Sequence, residues 1–146
     1  MKYLVLVSHG GLAEGLKTSL AMFAGDKINQ VLAFGLKDGK SVDEFAVEVK
    51  EDLAAQTKPE DDFIILADIV GGSPLTTFLN VLEEKGKLGT AVVIGGMNLT
   101  AALTAVVMKD LAEGDALAEN ILSEASSALQ QFKVAAAEAD DEDDDI

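Results

Sequence analysis

The amino-acid sequence predicts an α/β fold: a doubly wound, mainly parallel four-stranded sheet with helices on both of its faces. Short aliphatic runs alternate four times with stretches of helical periodicity. Apolar residues make up 49% of the chain and aromatic residues only 5%, a composition typical of buried parallel strands. No internal repeat or linker divides the 146 residues, which suit one domain with a sizeable core.

The first half of the chain alternates strand, helix, strand and helix. Residues 2–8 predict a first strand, and the helical stripe after them ends at Gly25, which suits a left-handed C-cap. Residues 28–34 predict a second strand. Ser41 and Glu44 have the spacing of a capping box, so a second helix begins there. The positions of this helix that are predicted to face the core are Val42, Phe45, Val49 and Leu53.

The second half repeats this alternation and adds a further helix. Residues 63–67 form a continuous apolar run, which predicts a third strand. Ser73 suits a helix N-cap and Pro74 suits the first helical position. Residues 88–94 predict a fourth strand, and Asn98 can cap the helix that follows it. The last helical stripe comprises Leu117, Ile121, Leu122, Ala125 and Leu129.

The C-terminal end differs in composition from the rest of the chain. We expect residues 1–135 to form the domain. Residues 136–146 are strongly acidic, and we expect them to be disordered, because repelling charges do not offset the entropy of ordering. Just before them, the segment around Phe132 can extend the last helix or form a short edge strand, and periodicity does not distinguish the two.

Composition excludes several classes of function. The formal charge is −15, and all 11 basic residues are lysines, which argues against nucleic-acid binding. The chain has no cysteine and one histidine, so we expect neither a disulfide nor a thiolate or polyhistidine metal site. The N-terminal apolar run is too short for a signal peptide, and no stretch approaches about 18 unbroken apolar residues, so we expect a cytoplasmic protein.

Residues that could perform chemistry follow three of the predicted strands. In a doubly wound sheet, the loops at the carboxyl ends of the strands share one edge, where ligands bind. We therefore expect these three segments to share one edge, and His9 and Asp68 to face the same crevice if the first and third strands are neighbours. They read Ser8-His9-Gly10-Gly11, Asp68-Ile69-Val70-Gly71-Gly72-Ser73 and Gly95-Gly96-Met97-Asn98.

His9 and Asp68 have complementary chemistry for phosphoryl transfer. A neutral imidazole can attack phosphorus with one ring nitrogen while the other nitrogen carries a proton, and a carboxylate that accepts this proton selects the tautomer. Asp68 would also stabilise the cationic ring once the phosphoryl group is attached. We therefore predict His9 as the phosphorylated nucleophile and Asp68 as the residue that orients it, although Asp68 could also simply cap a turn.

The glycine-rich segments could hold the phosphoryl oxygens. Without arginine, a bound phosphate must be held by backbone N–H groups, hydroxyls or lysine. Gly10, Gly71 and Gly72 allow backbone N–H groups to approach, and Ser73 could offer its hydroxyl or its N–H at a helix N-terminus. The segment 71–74 could also be only a helix start.

Motifs for nucleotide cofactors are incomplete. The segment 35–41 resembles a P-loop but is one residue too short and follows the second strand. No G-x-G-x-x-G or hydroxyl-rich loop follows the first strand, so dinucleotide and FMN sites are disfavoured. We predict no cofactor.

The chain resembles the enzyme IIA domain of the mannose-type (mannose/fructose/sorbose) family of the bacterial phosphoenolpyruvate-dependent sugar phosphotransferase system. The resemblance rests on three motifs, which read Val7-Ser8-His9-Gly10, Asp68-Ile69-Val70-Gly71-Gly72-Ser73-Pro74 and Gly95-Gly96-Met97-Asn98-Leu99. The resemblance covers about residues 1–135, and the first two motifs together at this spacing are specific. Thr100 stands where the family often has a proline.

This resemblance implies a phosphocarrier. His9 would accept a phosphoryl group from phospho-HPr and pass it to a histidine of enzyme IIB, with neither a metal nor a nucleotide, and would serve the membrane subunits IIC and IID indirectly. Asp68 matches the family's aspartate partner of the histidine, and Ser73 its phosphate-contacting serine. The family is typically a homodimer in which a C-terminal antiparallel strand is exchanged, which for this chain points to the region of Phe132.

Two other functions remain open from the residues alone. The same histidine chemistry occurs in the phosphotransferase subunit of a phosphoenolpyruvate-dependent dihydroxyacetone kinase, although the Gly-Gly-Ser-Pro loop argues against it. The chain could also be a non-catalytic flavodoxin-like module that binds a small anion at the crevice. The sugar itself is not encoded in this chain, because the membrane subunits select it.

Overall fold

The computed structural model describes residues 1–134, which form one four-stranded parallel sheet and five α-helices. The chain alternates between strand and helix through the fourth strand and then adds two consecutive helices. The strands are β1 (Lys2–His9), β2 (Val31–Leu36), β3 (Asp62–Ala67) and β4 (Val92–Ile94), and the helices are α1 (Leu12–Ala24), α2 (Val42–Gln56), α3 (Ser73–Glu84), α4 (Leu99–Met108) and α5 (Gly114–Ala128).

The strands lie in the order β2-β1-β3-β4, and every neighbouring pair is parallel. The chain moves to one side of β1 to form β2 and to the other side to form β3. The strand order therefore reverses between β1 and β3, which is the position where α/β sheets bind ligands. Val7 is paired with Ala67 in the register, so His9 at the end of β1 and Asp68 directly after β3 lie at the same edge of the sheet.

Two apolar clusters cover the two faces of the sheet. Leu4 and Leu6 point to one face, which is covered by α1, α4 and α5. Val5 and Val7 point to the other, which is covered by α2 and α3. All four side chains are fully buried, because a central strand between two helical layers has no solvent-facing side. The predicted doubly wound fold is confirmed.

The starts of two predicted strands were wrong. The second strand begins at Val31 rather than Ile28, because Gly25–Gln30 forms a 3-10 turn. Ile28 packs on the core from this turn, and the buried ammonium group of Lys109 donates a hydrogen bond to Gln30. The fourth strand begins at Val92 rather than Leu88, because Leu88–Thr90 forms a second 3-10 turn. Apolar content predicted burial at Ile28, but burial does not require an extended backbone.

Val42 and the C-terminal segment also depart from expectation. Val42 was predicted to face the core but is 44% exposed, since it is the first residue of α2 and adjoins an exposed turn. Helix α5 ends at Ala128, and residues 129–134 belong to no helix or strand, so neither possibility predicted for Phe132 occurs in the described chain. The acidic segment 136–146 lies outside the described residues.

None of the helices within residues 1–134 has the length and apolar character that crossing a membrane requires.

Candidate functional site

His9 is the last residue of β1, at the point where the buried strand reaches the edge of the sheet. The preceding Ser8 is buried, and its Oγ accepts a hydrogen bond of 2.7 Å from the N–H of Ala13 at the start of α1. Gly10 has a left-handed φ of 58°, and its N–H donates to the carbonyl of Leu36 at 2.9 Å. These contacts fix the turn after β1 and leave the His9 side chain 48% exposed.

Asp68 holds both the backbone and the ring of His9. Its Oδ2 lies 2.9 Å from the backbone N and 2.9 Å from the ring Nδ1 of His9, while its Oδ1 accepts a 2.8 Å hydrogen bond from the N–H of Ile69. The Asp68 N–H donates to Val7 O at 3.1 Å. Because an ionised carboxylate only accepts hydrogen bonds, Nδ1 must carry the ring proton, and the lone pair is left on Nε2.

The carboxyl group of Asp68 is stabilised as an anion. Its side chain is only 12% exposed, and this burial by itself would raise the pKa of Asp68. The hydrogen bonds from the backbone and ring of His9 and from the backbone of Ile69 outweigh that effect, so the pKa of Asp68 lies below its ordinary value. Asp68 is therefore ionised at neutral pH and available to accept the ring proton.

Gly72 lies beside Cε1 and Nε2 of the His9 ring, whereas Asp68 contacts Nδ1. A Cβ atom placed on Gly72 would be 2.9 Å from Cε1 and 3.4 Å from Nε2 of His9. The N-cap residue of α3 is Gly72 rather than Ser73, which the sequence suggested, and the carbonyl of Gly72 accepts a hydrogen bond from the N–H of Thr76. The backbone at the N-terminus of α3 therefore lies beside Nε2, where unpaired N–H groups and the helix dipole favour an anion.

The remaining predicted phosphate-binding residues lie on either side of this position. Ser73 is exposed and is the first residue of α3, and Gly71 is exposed with a left-handed φ of 88°. Gly10 lies in the β1–α1 turn directly after His9. The fold thus brings the β1 and β3 loops together at the histidine, as the topology argument expected.

The third loop segment has structural roles. Gly96 has a left-handed φ of 71°, and the N–H of Met97 donates to Ala67 O at 2.9 Å, so the loop is tied to the end of β3. Asn98 caps α4 by accepting a 2.7 Å hydrogen bond from the N–H of Ala101, and its Nδ2 donates to Ala125 O in α5 at 3.1 Å.

Two neighbours of the site were missed by sequence reasoning. A Cβ atom on Gly35 in β2 would overlap the carbonyl oxygen of Gly10, so this strand position must be glycine for the β1–α1 turn to lie so close. An isolated glycine within a strand is a signal of such close approach. Lys37, just after β2, forms a 2.9 Å ion pair with Glu14 of α1, which brings a cation to the same edge. No comparable signal distinguishes Lys37 from the other lysines.

The arrangement is suited to group transfer at a nitrogen nucleophile. Nε2 has its lone pair free, belongs to a half-exposed side chain and lies next to a helix N-terminus, and the carboxylate of Asp68 can stabilise a cationic ring. Within residues 1–134, no three histidine, aspartate or glutamate side chains lie where they could hold a metal ion together.

Solved structures of three proteins resemble this fold closely. The mannose/sorbose-specific IIA subunit of the phosphotransferase system from Enterococcus faecalis is 24% identical with a TM-score of 0.73, covering 94% of this chain and 100% of its own. The phosphotransferase system component EIIA from Streptococcus agalactiae is 22% identical with a TM-score of 0.72, covering 90% and 98%. The PTS IIA protein associated with the fucose utilization operon of Streptococcus pneumoniae is 23% identical with a TM-score of 0.69, covering 89% and 92%.

These structural likenesses establish the fold, and the family follows from the sequence itself. No curated protein sequence matched the chain significantly. The family model described as the PTS system fructose IIA component matches residues 3–122, a range that contains all three loop segments of the site. A parallel sheet of this order, a histidine at the end of its central strand and this match together show that the chain belongs to the mannose-type family of phosphotransferase-system IIA components.

Proposed function

We propose that this IIA component is a phosphocarrier whose His9 Nε2 accepts a phosphoryl group from phospho-HPr and passes it to a histidine of enzyme IIB. The observation that carries the proposal is the contact of Asp68 with Nδ1 at 2.9 Å, because it leaves Nε2 as the exposed nucleophile. The reaction would run in the cytoplasm and would supply the membrane subunits IIC and IID only through IIB.

In the first half of the cycle, the lone pair of Nε2 attacks the phosphorus of the phosphohistidine of HPr. The bond between phosphorus and the donor nitrogen breaks, and the donor ring keeps that electron pair. His9 becomes a cationic phospho-imidazolium, whose Nδ1 proton remains hydrogen-bonded to Asp68. In the second half, a histidine of IIB attacks the same phosphorus, the Nε2–phosphorus bond breaks, and Nε2 regains its lone pair.

The surrounding backbone would stabilise the charge that moves during both steps. Phosphoryl transfer depends mainly on positioning and on stabilising the equatorial oxygens. We assign this role to the N-terminal turn of α3, through the backbone at Gly71 and Gly72 and the hydroxyl and N–H of Ser73, with Gly10 on the other side of the ring. No metal or nucleotide enters this scheme, since the donor is already a reactive phosphoramidate.

Mass spectrometry of the intact protein tests the proposal. After incubation with phosphoenolpyruvate, enzyme I and HPr, we expect one phosphoryl group per chain, lost at acid pH as phosphohistidine requires. His9→Ala should gain none, and thermal unfolding would show that this variant is folded. Equal phosphorylation of His9→Ala, or none of the wild-type protein, would contradict the assignment.

The acceptor distinguishes this function from the dihydroxyacetone kinase alternative. We expect labelled phosphate to move from the phosphorylated chain to a mannose-type IIB protein. Transfer to the nucleotide-bearing subunit of a dihydroxyacetone kinase and not to IIB would favour the alternative. A chain that is never phosphorylated but binds a small anion equally well as His9→Ala would be a non-catalytic module.

We also propose that two copies pair by exchanging their C-terminal segments, as the family resemblance implies. Leu129, Phe132 and Val134 are 88%, 83% and 88% exposed, and the described sheet ends at β4. An antiparallel strand from a second copy on β4 would bury these apolar side chains.

Light scattering tests the pairing. We expect the mass of a dimer for the full chain and that of a monomer when Phe132 and Val134 are both replaced by serine. Met22→Ser, which changes an 82% exposed side chain on α1, is the matched control and should stay dimeric. A wild-type chain that is monomeric at high concentration would contradict the pairing.

A further inference from the structure

Gly95 and Val70 make a close contact between the second and third loops of the site. A Cβ atom placed on Gly95 would overlap Cγ2 of Val70, and it would also lie 3.4 Å from both Cβ and the backbone N of Val70. The φ of Gly95 is not in the left-handed region, so its backbone alone does not require glycine. The requirement for glycine at this position therefore comes from Val70.

Val70 lies in the middle of the loop that carries Asp68 and Gly72. The hydrogen bonds of this loop are at its ends: Asp68 and Ile69 on one side, and Gly72, which accepts from Thr76 N, on the other. The Val70 side chain is 71% exposed overall, yet its Cγ2 rests on the bare Cα of Gly95. This contact buries little of the Val70 side chain. It does hold the middle of the loop, between Asp68 and Gly72, which lie against the ring of His9.

The loop of Gly95 is itself held firmly. It follows β4 directly, and the N–H of Met97 is bonded to Ala67 O, one residue before Asp68. Asn98 then joins the loop to both α4 and α5. Gly95 is therefore a fixed surface against which the β3–α3 loop rests.

We infer that Gly95 is a positioning residue for the phosphoryl transfer: it seats Val70, and thereby holds Asp68 on Nδ1 and the backbone of Gly72 beside Nε2 of His9. This inference rests on the proposed function for its consequence in catalysis. It gives the third loop segment, which does not contact His9, a role in the reaction. Specifically, a side chain on Gly95 should displace the β3–α3 loop.

The Gly95→Ala substitution should act through this single contact. The overlap is with Cγ2 alone, because the Cβ and backbone N of Val70 lie 3.4 Å from the new methyl group, an ordinary contact distance. A β-branched side chain has few favourable χ1 rotamers, so we expect the crowding to move the loop, and a shift of about 1 Å at a reacting group can cost on the order of 100-fold in rate. Replacing Val70 by alanine removes the overlapping Cγ2 and should return the β3–α3 loop to its wild-type position.

Four variants test the inference: Gly95→Ala, Val70→Ala, the double variant, and Gly89→Ala as the matched control, because a Cβ on Gly89 meets no atom within 4 Å. Nitrogen-15 NMR of the histidine ring in the unphosphorylated protein reports the tautomer, and the rate of phosphorylation by phospho-HPr reports transfer. We expect Gly95→Ala to mix the tautomers and to slow transfer by about 10- to 100-fold. The double variant should return to within about twofold of Val70→Ala.

Each outcome decides the question. Gly95→Ala with the wild-type tautomer and rate would overturn the inference, and so would a double variant as impaired as Gly95→Ala. Thermal unfolding of all variants distinguishes a shifted loop from loss of fold. If even the wild-type protein takes no phosphoryl group, the proposed function fails, but the tautomer comparison still decides whether Gly95 positions Asp68 against the ring.

Discussion

The single histidine of this chain is controlled by two residues that come from the same loop. Asp68 occupies Nδ1, and Gly72 lies against Cε1 and Nε2. The first contact selects the tautomer, and the second sets how closely the helix N-terminus approaches Nε2. Asp68→Asn changes the first contact and Gly72→Ala changes the second, so single substitutions test both.

Replacing Asp68 by asparagine should slow phosphorylation of His9. The neutral amide can donate to Nδ1 as well as accept from it, so the tautomer with the lone pair on Nε2 is no longer selected, and the cationic product loses its counter-charge. We expect a reduction of about 10²- to 10⁴-fold in the transfer rate, measured by rapid quench with phospho-HPr.

Asp62→Asn is the matched control for that variant. Asp62 is the first residue of β3, at the opposite end of the strand from Asp68, and it pairs with Lys87 at 3.0 Å. We expect the transfer rate of this variant to stay near the wild-type value. A rate for Asp68→Asn equal to that of Asp62→Asn would show that the carboxylate does not assist the reaction.

Adding a methyl group at Gly72 should push the His9 ring out of place. The φ of −84° and ψ of 161° at Gly72 are accessible to alanine, so the effect is a collision with Cε1, 2.9 Å away, rather than backbone strain. We expect Gly72→Ala to slow transfer by about 10- to 100-fold with little change in thermal stability. Gly15→Ala, in the first turn of α1 with no atom within 4 Å of the new Cβ, should transfer normally, and a similar loss there would contradict the explanation.

The helices next to the site are fixed by polar caps whose energetic contributions differ. Ser41 and Glu44 form a complete capping box at α2, with hydrogen bonds of 2.9 and 3.0 Å. Asn98 caps α4 and also satisfies a carbonyl of α5 at Ala125. One side chain therefore sets the direction of two helices that follow the third loop.

Asn98→Ala should destabilise the fold more than Ser41→Ala does. Loss of an N-cap costs about 1 kcal/mol, and Asn98→Ala also leaves the partly buried carbonyl of Ala125 without its partner, which adds about 1 kcal/mol or more. Urea unfolding gives the free energies of both variants. Equal losses for the two variants would mean that the bond to Ala125 contributes nothing.

The molecule as a whole combines a strongly acidic surface with a few carboxylates that must stay ionised. The formal charge of −15 implies self-repulsion at neutral pH, which salt should reduce. In contrast, the pKa of Asp62, next to Lys87, is lowered, and hydrogen bonds lower the pKa of Asp68 despite its burial. Acidification should therefore relieve repulsion but also remove specific interactions.

The interaction of Asp68 should appear as a pH dependence of stability. Its pKa is lower in the folded protein than the ordinary value of about 3.9, so the unfolded chain binds the proton more readily. The stabilisation is complete above about pH 5 and is lost as the pH falls through the folded value. Urea unfolding from pH 6 downward should show the advantage of the wild-type protein over Asp68→Asn shrinking. A constant difference across this range would contradict the lowered pKa.

Short stretches of the sequence predict most of the secondary structure of this protein. The aliphatic runs ending at His9 and Asp68 predict strands that deliver these residues to one edge, because a buried parallel strand has a recognisable length and composition. Helix starts at Ser41 and Asn98 are equally local, since a cap involves residues three positions apart. Fold class, helix positions and the candidate histidine with its aspartate therefore follow from short windows of sequence.

Other features depend on segments that are distant in the chain. The order β2-β1-β3-β4 decides that Asp68 touches His9, and no local pattern encodes which strands are neighbours. Glycine is required at position 35 because a Cβ there would overlap the carbonyl oxygen of Gly10. It is required at position 95 because a Cβ there would overlap Val70, and each pair is 25 residues apart in the chain. The 3-10 turn before β2 also has a distant partner, because Lys109, just after α4, donates a hydrogen bond to Gln30. Packing between remote segments decides these contacts, whereas residue type and periodicity suffice for the elements themselves.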